Sequence, residues 1–299
     1  MSVRDLLAAA AREQVALVAL SAPAPAAMAG FARAARDAQA PLLLVRPSGQ
    51  GEEKGPEEGR DDSAFAEAAF AAADGLRFRG PFALLKDPPR ALGAVPDRER
   101  VQREIEAGFT GLSLAAADTQ QSARDAALAA TPVCQLELGL EIVPLGGARA
   151  AAELARQLRS RGAAPSAVRI TGMEDEAAAL GEELQGIALS TATESLADGL
   201  ARRGMRQLVA SGPFLRALRR AAPRQIWETL EAWADETGAT LEQSAARHQR
   251  LLRDLPAPAQ ARLEALCCFE ALDLFRTAGA QGTSTRVVSA VAALHEGEE

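Results

Sequence analysis

The stretch Phe82-Ala83-Leu84-Leu85-Lys86-Asp87-Pro88-Pro89 decides the fold. An apolar run of strand length stops at a charged pair, and two prolines then forbid its continuation. The same grammar recurs on either side. Residues 14–20 form an apolar run that stops at Ser21-Ala22-Pro23, and residues 41–45 one that stops at Arg46-Pro47-Ser48. Further strand-like runs lie at 111–115, within 133–143, and at 167–171, 186–189 and 206–210. Helix-periodic segments separate them: 26–38, 64–73 with Ser63 placed to cap, 97–107 closed by Gly108, 119–130, 148–161, 174–184, 194–203 and a closing helix from 214. Strands that alternate with helices in this way predict a parallel sheet, and eight such units predict a closed (β/α)8 barrel. The end of the third strand is then at the barrel mouth, where chemistry is usually sited.

Outside the barrel, residues 3–12 read as a short helix with Val3, Leu6, Leu7 and Ala10 on one face. Helices are expected at 223–237, 241–255 and 259–278, the last two separated by Pro256 and Pro258. No shift in composition marks a second domain. The reading is one domain over 1–299, with the barrel at about 13–222 and a helical extension at about 223–299 packed on it. Residues 49–62 are rich in Gly, Glu and Asp and predict a mobile loop at the mouth, either a solvated linker or a lid.

At 299 residues, 48% hydrophobic and 24% charged, the chain is long enough for one such barrel and has the make-up of a soluble globule. A formal charge of −7 argues against a nucleic-acid partner. No apolar run reaches the ~18 residues of a membrane span, and Met1-Ser2-Val3-Arg4-Asp5 lacks the layout of a signal peptide. The cysteines are Cys134, Cys267 and Cys268; adjacent cysteines pair poorly, which points to a reducing, cytoplasmic setting.

The chain has only two lysines, Lys54 and Lys86. A buried lysine can give up its proton and act as nucleophile or base, whereas arginine cannot. Lys86 and Asp87 are therefore a candidate acid/base or Schiff-base pair, set against a structural ion pair at a strand end. Glu141 is a third mouth carboxylate, or a structural acceptor for a neighbouring loop. Cys134, read at the start of the fifth strand, and the mid-helix Cys267 and Cys268 read as packing residues. His248 reads as a surface helix residue. Trp227 and Trp233 do not share one clean helical face and mark core or a contact surface.

The chain resembles the class II ketose-bisphosphate aldolases, and among them the branch of non-catalytic tagatose-bisphosphate aldolase subunits. Four stretches carry the resemblance: Ala107-Gly108-Phe109-Thr110; Gly139-Leu140-Glu141-Ile142-Val143-Pro144-Leu145-Gly146-Gly147; Gly204 to Gly212 followed by Leu215-Arg216; and Leu274-Phe275-Arg276-Thr277-Ala278-Gly279. The family ends its third strand in aspartate then histidine, as acid/base and metal ligand. Asp87 matches the first, but Pro88 stands in place of the second. A fourth-strand aspartate of the family falls on Ala115. The later histidine positions fall near Thr171-Gly172 and Leu189-Ser190. The only histidines are His248 and His295, so the family's zinc is not expected and no cofactor is assigned. The resemblance implies anion-binding loops at Gly146 and Gly147, at Ser190 and Thr191, and at Ser211 and Gly212, where Pro213 removes one donor.

These readings together give an aldolase-like barrel without its catalytic metal. It would be a pseudoenzyme or non-catalytic subunit linked to sugar-phosphate metabolism, holding at most a small sugar phosphate or anion at its mouth and assembling with itself or with a partner subunit. The alternative is a metal-independent aldehyde-lyase or isomerase that uses Lys86 and Asp87.

Overall fold

The computed structural model describes residues 1–48, 56–88, 98–170 and 174–296, with backbone alone over 56–60 and 174. Eight parallel strands close into a barrel in chain order: β1 (Leu17–Ser21), β2 (Leu42–Arg46), β3 (Phe82–Lys86), β4 (Gly111–Ala116), β5 (Gly139–Pro144), β6 (Ala167–Arg169), β7 (Ala188–Thr191) and β8 (Met205–Ala210). The closing seam pairs Leu17 of β1 with Gln207 of β8. The barrel helices are α1 (Val3–Glu13), α2 (Pro25–Ala38), α3 (Pro56–Gly75), α4 (Arg98–Glu106), α5 (Gln120–Gln135), α6 (Ala148–Arg159), α7 (Ala177–Glu183) and α8 (Gly212–Ala221). The C-terminal helices are α9 (Arg224–Thr237), α10 (Leu241–Arg247), α11 (Gln249–Arg253), α12 (Ala257–Thr277) and α13 (Ser284–His295). The fold is a (β/α)8 barrel, as the alternation of strand and helix signals predicts.

Strands in such a barrel are covered on both faces, which is why they read as apolar runs. Alternate residues nevertheless have different surroundings. Val18, Leu20, Leu42, Leu44, Leu84, Leu140, Ile142 and Leu208 join the core beneath the helices. Leu17, Ala19, Leu43, Val45, Ala83, Leu85, Ala167 and Val209 face the lumen, where they meet Val3, Leu6, Leu7 and Ala10 of α1 and Val287 and Val291 of α13. The lumen floor is thus plugged by α1. Gly111 and Gly139 permit this, because a Cβ at either position would run into the Val3 side chain.

The C-terminal extension packs on the barrel through α12, which lies against α2 and α8. At Gly30 of α2 a Cβ would overlap the Glu264 carbonyl and Cys267, so the glycine sets how closely the two helices approach.

Five local expectations change. Residues 56–62 belong to α3 and are not loop, so the predicted loop shrinks to 49–55, which lies outside the described residues. The helix expected over 194–203 is two 3-10 turns, Glu194–Leu196 and Ala201–Arg203, because Gly199 and Gly204 take left-handed conformations (φ 79° and 78°). Cys134 is in the last turn of α5, which runs on past Pro132, and is not at the start of β5. His248 is half-buried, with its ring edge-on to Trp233. The chain also ends in a helix not anticipated, α13, whose Val287, Ala290 and Val291 follow helical spacing.

Candidate active site and its internal ion pairs

The lumen is apolar at its floor and turns polar toward the strand C-termini. Alternation places Asp87, Ser113, Glu141, Arg169 and Ser190 there, all buried. Arg169, at the end of β6, reaches across the lumen. Its Nη1 donates to Asp87 Oδ1 at 2.7 Å, and its Nη2 donates to Glu141 Oε2. Glu141 also accepts from Ser113 Oγ at 2.5 Å and from Ser190 Oγ. The Ser48 hydroxyl donates to the Asp87 carbonyl at 2.5 Å.

Burial by itself would raise the Glu141 pKa. The Arg169 charge and the hydrogen bonds from Arg169, Ser113 and Ser190 outweigh it and hold the carboxyl below its ordinary value. Burial likewise works against the Arg169 cation, but Asp87 and Glu141 more than offset it and raise its pKa. Glu141 and Arg169 therefore stay ionised, and Asp87 joins them in one hydrogen-bonded unit.

Lys86 does not join this unit. It follows Leu85 by one residue and so faces the other way, out of the barrel wall toward α3. There its Nζ donates to Asp62 Oδ1 at 3.0 Å, and Arg46 of β2 pairs with the same carboxylate. Lys86, Arg46 and Asp62 are all buried. Lys86, the last residue of β3, and Asp87, just beyond it, are thus neighbours in sequence that point to opposite sides of the barrel wall. The structure does not bring them together as an acid/base pair. Glu141 and Asp87 do share one site, through Arg169.

The proposed anion loops divide similarly. Ser190 is committed to Glu141, and Thr191 Oγ1 accepts from the Thr193 amide at 3.0 Å. Gly146 and Gly147 form the exposed turn before α6. Ser211 precedes α8, and the Gly212 amide donates to Glu194 Oε1. Arg216, one turn along α8, binds Glu194 Oε2 at 3.0 Å and Glu270 at 2.6 Å. A helix N-terminus attracts anions, and at α8 the anion is a carboxylate of the chain itself.

The described residues at the mouth do not fit a divalent metal. The Asp87 and Glu141 carboxylates converge, but the Arg169 guanidinium lies between them. Among the described residues no group of three or more His, Cys, Asp or Glu stands close enough to hold an ion. Thr171 and Gly172 lie outside the described residues. At Leu189-Ser190, Leu189 packs under the helices and Ser190 bonds Glu141.

Among the described residues, Arg46, Lys86 and Arg169 are the buried cations at the mouth end of the barrel, and Asp62, Asp87 and Glu141 the buried carboxylates. Sequence reasoning missed Asp62, Glu194 and, above all, Arg169. The signal for Arg169 was a lone arginine closing an otherwise apolar strand.

Solved structures share this architecture. The YdjI aldolase from Escherichia coli K12 superposes with a TM-score of 0.67 at 12% identity, over 95% of this chain and 99% of that one. The chain has an aldolase-type barrel fold. A Coccidioides immitis protein assigned as a fructose-1,6-bisphosphate aldolase gives 0.66 at 11% identity, covering 95% and 97%. The fructose-bisphosphate aldolase of Campylobacter jejuni gives 0.60 at 10%, covering 91% and 92%. No protein-family model matches the chain, and no curated protein sequence does. These likenesses concern fold alone. No helix among the described residues is long and apolar enough to cross a membrane.

Proposed function

We propose that this aldolase-type barrel is a non-catalytic member of its fold. In this reading it is a cytoplasmic accessory or self-associating subunit linked to sugar-phosphate metabolism. One observation carries the proposal: the Arg169 guanidinium lies between Asp87 and Glu141, the two carboxylates that a metal-dependent lyase of this shape would turn toward a cation. A metal ion lowers a lyase barrier by polarising a carbonyl and stabilising the negative charge that develops, an effect of several kcal/mol. A guanidinium already neutralised by two carboxylates has little left to offer a developing enolate. The carboxylate of Glu194 at the α8 N-terminus supports the same reading, because an incoming phosphate would have to displace it.

The metal-independent alternative needs Lys86 and Asp87 to act on one substrate, and their opposite orientations disfavour it. The decisive assay incubates purified protein with fructose and tagatose bisphosphates, with and without Zn²⁺, and couples triose release to NADH oxidation. The expected result is no turnover above the protein-free background. Turnover that a chelator abolishes would overturn the proposal. Turnover insensitive to chelator, with a borohydride-trapped adduct on Lys86, would reinstate the alternative.

A further inference from the structure

We propose that the barrel lumen is a binding site for a neutral hydroxyl-bearing occupant, seated on the Gln207 carboxamide, the Ser21 hydroxyl and Nε of Arg169. Gln207 lies on β8 and is fully buried. Leu208 packs under the helices and Val209 faces the lumen, so Gln207, on the same side as Val209, points into the lumen as well. Neither its Oε1 nor its Nε2 has a hydrogen-bond partner among the described residues. A register shift sets this orientation: Leu189 pairs with Met205 but Ser190 with Gln207, which leaves Arg206 as the extra residue of a bulge. Bulges re-aim side chains, and the one turned inward here is a carboxamide.

Two more groups share its condition. Ser21, at the end of β1, is on the lumen side with Leu17 and Ala19, is fully buried, and has no partner for its Oγ. Arg169 commits its two terminal nitrogens to Asp87 and Glu141, but its Nε has no partner either. Buried polar atoms left unpaired cost stability, so in folded proteins they normally have a partner, whether protein, water or ligand.

Strand register brings the three together. Arg169 of β6 pairs with Ser190 of β7, Ser190 with Gln207 of β8, and Gln207 with Leu17 of β1. Arg169 and Gln207 therefore flank Ser190 on either side, their backbones roughly 10 Å apart. Ser190 is short, and its hydroxyl is already given to Glu141. Ser21 is two lumen-facing positions above Leu17, on the strand next to that of Gln207 and nearer the mouth.

The donor set selects the occupant. Arg169 Nε can only donate, Gln207 offers two donor hydrogens and one acceptor oxygen, and a serine hydroxyl does either. The occupant must both accept and donate. Arg169 is already matched by two carboxylates, so an anion would meet Asp87 and Glu141 with no spare charge to hold it, and a cation would meet the guanidinium. A neutral O–H group suits all three positions. Ordered water and the hydroxyls of a small polyol share this chemistry, and either must enter from the mouth, since α1 plugs the floor. Occupancy does not depend on whether the barrel is catalytic, and neither readout of the test uses turnover.

The test is NMR on the full chain, deuterated and labelled with ¹⁵N. The Gln207 Nε2 hydrogens, assigned by their loss in Gln207→Met, are probed for cross-relaxation with water and, in a second sample, with glycerol. A cross peak to one of the two is expected. A water peak that persists in glycerol identifies ordered solvent; its saturable replacement by a glycerol peak identifies the polyol. Ser21→Ala should weaken the peak severalfold. Thermal melting gives a second readout. With an occupant in place, Gln207→Met strips it of partners and should lower the melting temperature by roughly 2–6 °C. A carboxamide that binds nothing is better replaced by an apolar side chain of similar size, and the melting temperature would then rise. The absence of any cross peak to water or glycerol, or a melting temperature of Gln207→Met equal to or above that of the wild type, would each overturn the proposal.

Discussion

Replacing Arg169 by methionine keeps most of the side-chain volume and removes the charge that Asp87 and Glu141 share. Asp87 is 6% exposed and Glu141 2%, so neither carboxylate can turn to water for compensation. Removing one partner of a buried pair typically costs about 3–5 kcal/mol, because the other charge is left stranded. At about 2–4 °C per kcal/mol for a chain approaching this size, the melting temperature should fall by roughly 6–20 °C.

The pH dependence separates this mechanism from a packing defect. In the wild type the Glu141 pKa is depressed, so its stabilising contribution is present above the unfolded value near 4.3 and is lost as pH falls through the folded value. Without Arg169 the main opposing influence on burial is gone, and the pKa moves above the unfolded value. The variant then takes up a proton on folding. Its penalty is full at neutral pH and fades as pH falls toward 4.3. Thermal unfolding followed by circular dichroism from pH 7.5 to 4.5 should show the gap between wild type and variant closing with acid. Arg169→Lys, which keeps the charge but cannot fork between two carboxylates, should fall between the two. A loss below about 1 kcal/mol, or a gap that stays constant or widens with acid, would refute the reasoning.

The wall-to-helix pair gives a second case. Asp62→Ala removes a carboxylate that Lys86 and Arg46 share beneath α3 and should lower stability by about 1–3 kcal/mol in urea titrations, whereas Asp61→Ala on the exposed side of the same helix should leave the urea midpoint unchanged. Gly30→Ala forces α2 away from α12, where the Glu264 carbonyl and Cys267 leave no room, and should destabilise by about 1–3 kcal/mol despite the better helix propensity of alanine. A stabilised Gly30→Ala variant in the same assay would show that the two helices are not held as close as described.

The amino-acid sequence by itself determined the barrel. Apolar runs such as 82–85 and 41–45, each halted by charge and proline, can satisfy their backbone only in a covered parallel sheet, and eight of them close it. Sequence also determined that few imidazoles are available: the two histidines are His248, between α10 and α11, and His295, at the end of α13. It supplied Asp87 and Glu141 as mouth carboxylates, because strand ends are local features. Only the tertiary structure decided what those carboxylates do. Arg169 meets Asp87 across 82 residues and Glu141 across 28, and Glu194 reaches the α8 amide across 18. No spacing rule spans those distances, because they depend on barrel closure and strand stagger. Lys86 shows the same limit within one dipeptide. Its neighbour Asp87 faces the lumen while it faces α3, and only the strand's orientation in the closed sheet fixes which side is which.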